Sequence, residues 1–99
     1  MRLTEHQKNT ILNACQRYFE NAECWLFGSR VDDQKRGGDI DLYIETKETD
    51  VNKLVAAKLA FLVLLNRELG EQKIDVVIHR MGSEFLPIHN VAKQTGIRL

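Results

Sequence analysis

Apolar positions recur along this chain with two periods, and the switches between them predict its elements. Ile11, Leu12, Cys15, Tyr18 and Phe19 follow the spacing of one helical face. Thr4, with Gln7 three residues on, gives that helix a capping-box start. Glu23-Cys24-Trp25-Leu26-Phe27 reads as a short aromatic-rich strand ending at Gly28, and the segment onward to Gly38 is a polar, charged loop with room for a helical turn. From Asp39 to Ile44 the period is two. Ile40, Leu42 and Ile44 face one way and Asp39, Asp41 and Tyr43 the other, a half-buried strand with its carboxylates on the less buried face. Asp50 can cap a long helix from Val51 to Leu69, stopped by Gly70, with an apolar stripe that includes Leu54, Val55, Leu62, Leu65 and Leu69. Ile74 to Ile78 is a third strand with Ile74, Val76 and Ile78 toward the core and Asp75 opposite, and a last helix runs through Pro87 to Gln94.

The connections suggest strand directions. Antiparallel pairing of the first two strands brings the end carrying Gly28-Ser29 beside the start carrying Asp39. The long helix between the second and third strands calls for a right-handed crossover and parallel pairing, so Asp75 enters at the same end as Asp39. The expected class is α/β in the α+β sense: a small mixed sheet of three or more strands with helices packed on one face. A chain of 99 residues has room for one small domain, 1–99, and one modest core.

Composition then removes several function classes. Fourteen basic and fourteen acidic residues cancel, so no global basic field gathers nucleic acid, and strong direct nucleic-acid binding is not expected. The longest apolar run, Leu59 to Leu65, is far short of a membrane span, and Met1-Arg2-Leu3-Thr4-Glu5-His6 lacks a signal peptide's apolar core, which makes a cytoplasmic location the expectation. Cys15 and Cys24 lack CxxC spacing and read as small buried apolar residues.

What remains is a chemical signal. Asp39 and Asp41, at i and i+2 on an extended strand, share one face and can share one cation cluster, with Asp75 joining from a neighbouring strand. Within Ile-Asp-Val-Val-Ile, a carboxylate near burial is costly without cations or donors. Gly28 and Ser29 offer close backbone approach and a small hydroxyl to a triphosphate, and Arg30 can add charge-assisted bonds. Nucleotidyl transfer uses such a set: an acceptor attacks the α-phosphorus of a nucleoside triphosphate, pyrophosphate leaves, and two divalent cations on hard oxygen ligands neutralise the developing charge. On that reading Asp39 and Asp41 bridge the metals, Asp75 completes coordination on the acceptor side, and Gly28 and Ser29 receive the β- and γ-phosphates. A Gly-Ser turn or an Asp-x-Asp strand end is ordinary alone; the combination is not.

Gly28-Ser29, Asp39-x-Asp41 and Asp75 on a later strand together resemble the signature of the minimal nucleotidyltransferase family, small members of the DNA polymerase β-like nucleotidyltransferase superfamily, over the span Trp25 to Ile78. The resemblance implies the nucleotidyltransferase fold, ATP as donor, two Mg²⁺ ions and transfer of a nucleoside monophosphate. It also implies a partner. Small members are commonly encoded beside an all-helical HEPN protein and act as its antitoxin, some by adding AMP to a tyrosine near the HEPN ribonuclease site, so a hetero-oligomer with such a toxin is expected. The loop Val31-Asp32-Asp33-Gln34-Lys35-Arg36 is more charged than the small polar stretch usual there, and the helical domain that larger relatives use to hold base and acceptor is missing, a role left to a partner chain. Two alternatives stay open: a non-catalytic antitoxin that neutralises a HEPN ribonuclease by binding, and transfer to a small molecule or an RNA end.

Several residues carry two readings. His79, following the third strand, is left outside the site as a surface or capping residue. Trp25 and Phe27 are core aromatics before they are base-stacking ones. Lys35 and Arg36 are either a solvated loop or phosphate-facing. The long helix holds more apolar residues than one buried face needs, including Phe61, Val63 and Leu64, and the surplus is either a partner surface or extra burial.

Overall fold

The computed structural model describes residues 1–19, 21–32, 34, 38–70 and 72–99. In chain order the elements are α1 (Glu5–Tyr18), β1 (Glu23–Phe27), a 3₁₀ turn (Gly28–Val31), β2 (Ile40–Thr46), α2 (Val51–Leu69), β3 (Ile74–Arg80), α3 (Pro87–Thr95) and β4 (Ile97–Arg98). Local chemistry sets the helix ends. The Gln7 N–H donates to Thr4 Oγ1 at 3.0 Å and the Thr4 N–H to Gln7 Oε1 at 2.9 Å, a reciprocal capping box. The Asp50 carboxylate accepts from the N–H groups of Asn52 and Lys53, and Gly70, at φ +81°, ends α2.

The strands form one mixed sheet in the order β3-β2-β1-β4. β1 runs antiparallel to β2 with Phe27 opposite Asp41, and β2 runs parallel to β3 with Asp41 opposite Asp75. Both directions agree with those drawn from the connections. β4 lies beyond pattern reading, because two residues show no alternation; it pairs with Trp25 and Leu26 of β1. Gly96 permits that approach, since a Cβ there would overlap Ala92 O and come within 2.8 Å of Leu26 O.

The main core lies between α1, α2 and one sheet face, where Ile11, Cys15, Leu26, Leu42, Ile44, Phe61 and Leu65 pack together. The rings of Phe19 and Phe61 meet edge to face at 5.3 Å. Cys15 and Cys24 are buried free thiols in this core, as their spacing suggested. The buried line of α2 differs from the expected stripe: Phe61 belongs to it and Val55 does not. Val55 follows Leu54 by about 100° of helical rotation, which carries it off the packed face.

The helices do not all share one face. α1 and α2 pack on one side, while α3 packs through Ala92 on Trp25 and Tyr43 on the other. The strands cause this, because the alternate positions Trp25, Tyr43 and Val77 are also apolar and need cover. That cover is incomplete: Tyr43 is fully buried, Asp41 is half-buried and Asp75 is exposed. Among the described residues, no helix is long and apolar enough to cross a membrane.

Candidate functional site

The uncovered end of the sheet gathers the residues with chemistry. β1 stops at Phe27 and the chain turns at Gly28, next to the point where β2 and β3 begin in register. The Ile40 N–H donates to Lys73 O at 3.0 Å and ties the two strand starts together. Two glycines then bring the loop into contact. Gly28 has φ +76°, and a Cβ on it would overlap Asp41 Oδ2; Gly38 has φ +87°, and a Cβ on it would overlap Ser29 Oγ. Each glycine is therefore demanded by backbone conformation and by close approach together. Gly28, Ser29, Asp39, Asp41 and Asp75 thus lie at one end of the sheet, from three separate stretches of chain.

Their charges interact. Partial burial pushes the Asp41 carboxyl above its usual range, the charges of Asp75 and Asp39 push it further, and only Lys73 opposes them. Lys73 Nζ lies 3.5 Å from Asp39 Oδ2, and both side chains are well exposed, so this ion pair is weak. Lys73 is a neighbour that pattern reading missed. It becomes visible only through the parallel register that sets Ile40 beside Ile74 and hence Asp39 beside Lys73.

Asp75 departs from expectation in one respect: it is exposed, not close to burial. β3 is an edge strand and Asp75 is exposed on it, so the cost of a buried charge does not explain this carboxylate. Its register position beside Asp41 does matter. Among the described residues, no group of three or more His, Cys, Asp and Glu side chains converges closely enough to hold a metal ion. The three aspartates are neighbours rather than a closed cage. Their donor set still fits a divalent cation, because such an ion takes hard carboxylate oxygens and its charge would relieve the crowding of Asp41 by Asp75 and Asp39.

Arg30 sits on the turn, but its guanidinium points to backbone: Nη1 donates to Arg2 O at 3.0 Å and Nε to Gly38 O at 3.3 Å. Arg2, which the sequence did not single out, donates from Nη2 to Ser29 O and from Nε to Asp32 O, each at 2.9 Å. Lys35 and Arg36 lie outside the described residues, as do Asp33 and Gly37. His79 is inside β3 opposite Glu45, four positions beyond Asp75, with its ring against Phe85 and His89. Trp25 is core, under the Lys93 ammonium at 5.3 Å. A groove of about 480 Å³, lined in part by Val51, Leu54, Val55, Arg80, Leu86 and His89, opens at the far end of β3 from the aspartates.

The sequence profile of the family described as Polymerase beta, Nucleotidyltransferase matches residues 9–98. No curated protein matches the chain. The matched span holds every strand and all three aspartates, and leaves Arg2 outside it.

Proposed function

The chain belongs to the Polymerase beta nucleotidyltransferase family, and from that premise we propose that it is an active Mg²⁺-dependent enzyme moving AMP from ATP to a tyrosine of an all-helical HEPN partner, acting as that protein's antitoxin in the cytoplasm. Membership itself carries nucleotidyl transfer, which in this family generally uses a nucleoside triphosphate and a divalent metal. The observation that supports activity is the placement of Asp41, set beside Asp75 in register, two residues after Asp39, and against the backbone of Gly28.

In the proposed reaction the tyrosine oxygen attacks the α-phosphorus, a new P–O bond forms as the bond to pyrophosphate breaks, and the hydroxyl proton passes to solvent water. Two Mg²⁺ ions, when bound, supply charge that neutralises the incoming and leaving oxygens. Asp39 and Asp41 are the residues that would hold both ions, and Asp75 would complete the ligand set on the acceptor side. The amide groups of Gly28 and Ser29 and the Ser29 hydroxyl would receive the β- and γ-phosphates. Gly38, lacking a side chain, leaves Ser29 Oγ free of overlap. Arg30 reaches a phosphate only by releasing Gly38 O and Arg2 O.

A protein acceptor is supported by the outer face of α2. Val51, Val55, Leu59 and Val63 recur every four residues at 51–64% exposure, a continuous apolar stripe that a partner would cover. Net charge of zero weighs against an RNA acceptor. The second reading, neutralisation by binding alone, is favoured by one observation: the three carboxylates do not converge on a point.

Incubation with α-labelled ATP, Mg²⁺ and the product of the neighbouring gene tests the choice. Label should pass to the partner and be lost in Asp39→Asn and Asp75→Asn, with Asp75→Asn still binding ATP. Inhibition of the partner with no label transferred replaces the enzyme by the binding-only antitoxin.

A further inference from the structure

We propose that Arg2 is a positioning residue for the phosphate-facing turn, holding Gly28-Ser29-Arg30 in the shape that distinguishes a nucleoside triphosphate from a monophosphate; this rests on the reading of that turn given above. Arg2 donates three hydrogen bonds to the turn and the residue after it. Its backbone N–H goes to Arg30 O at 2.8 Å, Nη2 to Ser29 O at 2.9 Å and Nε to Asp32 O at 2.9 Å. Arg30 returns the contact, with Nη1 on Arg2 O at 3.0 Å and Nε on Gly38 O at 3.3 Å. The two arginines form a reciprocal clasp around the turn, and its far end holds Gly38 against Ser29 Oγ.

A 3₁₀ turn of four residues has little stability of its own, and the Asp32 N–H bond to Ser29 O, at 3.2 Å, closes it only loosely. The clasp supplies what the turn lacks, and it is itself anchored. Leu3 packs against the main core and Thr4 starts the capping box of α1, so Arg2 is carried on a fixed segment. The arginine fork matters, because Nε and Nη2 divide between two carbonyls in a geometry that an ammonium group cannot copy. Arg2 also lies outside the 9–98 span of the family profile, so membership does not supply this contact. If the turn shifts, Gly28 moves against Asp41 and Ser29 against Gly38, and the groups that would face the β- and γ-phosphates lose register.

Dissociation constants for ATP and AMP, measured with Mg²⁺, and KM and kcat for transfer test this in wild type, Arg2→Ala and Arg2→Lys. Arg2→Ala is expected to weaken ATP binding about tenfold, leave AMP binding within about twofold, and raise KM with kcat nearly constant. Arg2→Lys is expected to restore less than about half of that loss on a logarithmic scale. Wild-type affinity for ATP in Arg2→Ala, an equal loss for ATP and AMP with a lowered melting temperature, or full rescue by Arg2→Lys each overturns the clasp. Should Arg2→Ala fail to fold, Arg2→Lys provides the same ATP-to-AMP comparison. A wild-type protein that binds AMP as tightly as ATP overturns the reading of the turn instead, which keeps the two failures apart.

Discussion

β2 carries two carboxylates four residues apart on one face, and the protein treats them in opposite ways. At the covered end, Glu45 accepts from the Tyr43 hydroxyl at 2.8 Å and from Lys93 Nζ at 3.0 and 3.1 Å. Burial pushes its carboxyl up, but the bonds from Lys93 and Tyr43 and the charges of Lys93 and His79 outweigh that and bring it below the usual range. At the open end, partial burial and then the like charges of Asp75 and Asp39 hold Asp41 above that range, with only Lys73 opposing them. Glu45 is complete within the chain. Asp41 is complete only with something positive added, which is what a ligand-binding carboxylate requires and a structural one does not.

The difference breaks most sharply at Asp41. Asp41→Asn is expected to cut nucleotidyl transfer about 10³-fold or more, equivalent to roughly 4 kcal/mol of transition-state stabilisation. Stability without metal should not fall with it. A carboxyl raised in the fold favours the protonated state, so its stabilisation is present at low pH and is lost as pH rises through the raised folded value. Asparagine resembles that protonated state, so thermal unfolding at neutral pH in a chelator should give an equal or higher midpoint, and Mg²⁺ should no longer raise it. A clear drop in the midpoint would make Asp41 structural like Glu45.

Gly28→Ala comes next, and it strikes both fold and site. The left-handed backbone and the overlap with Asp41 Oδ2 should destabilise the chain by about 1–3 kcal/mol in urea titration, with activity reduced as well. Glu45→Gln should cost about 1 kcal/mol, because its Lys93 partner is partly exposed, and should leave transfer unchanged. Loss of transfer in that variant would erase the distinction between the two ends. The smallest effect is expected at His89, which is buried and whose Nδ1 accepts from the Leu86 N–H at 3.0 Å. Burial and the charge of His79 hold it below its ordinary 6.5, against the opposing charge of Glu45. A depressed base gives its full stabilisation above the unfolded value and loses it as pH falls below 6.5 toward the folded one. His89→Gln should flatten the pH dependence of unfolding below 6.5 by less than one proton of slope.

Much of the framework is legible from local pattern. The bounds of α2 agree with its sequence signals because Asp50 and Gly70 act on backbone groups within a few residues. The alternation from Asp39 to Ile44 sets the faces of β2, since a strand has no other period. Non-local features escape such reading. Ile97-Arg98 becomes a strand only because β1 has a free edge, and α3 crosses to the second face because Trp25, Tyr43 and Val77 meet there from three strands. Phe61 joins the packed line because Phe19, from another helix end, receives its ring, while Val55 falls outside it by its rotation from Leu54.

The sequence by itself determined that Gly28-Ser29, Asp39, Asp41 and Asp75 would share one sheet end, because side-chain alternation and connection length are properties of neighbouring residues. Only the tertiary structure decided which carboxylates are answered and which are left repelling one another, and which arginine braces the turn. Those outcomes depend on partners 48 residues away for Lys93 and Glu45 and 30 away for Arg2 and Asp32. Charge and hydrogen bonding act through space, and no period along the chain encodes them.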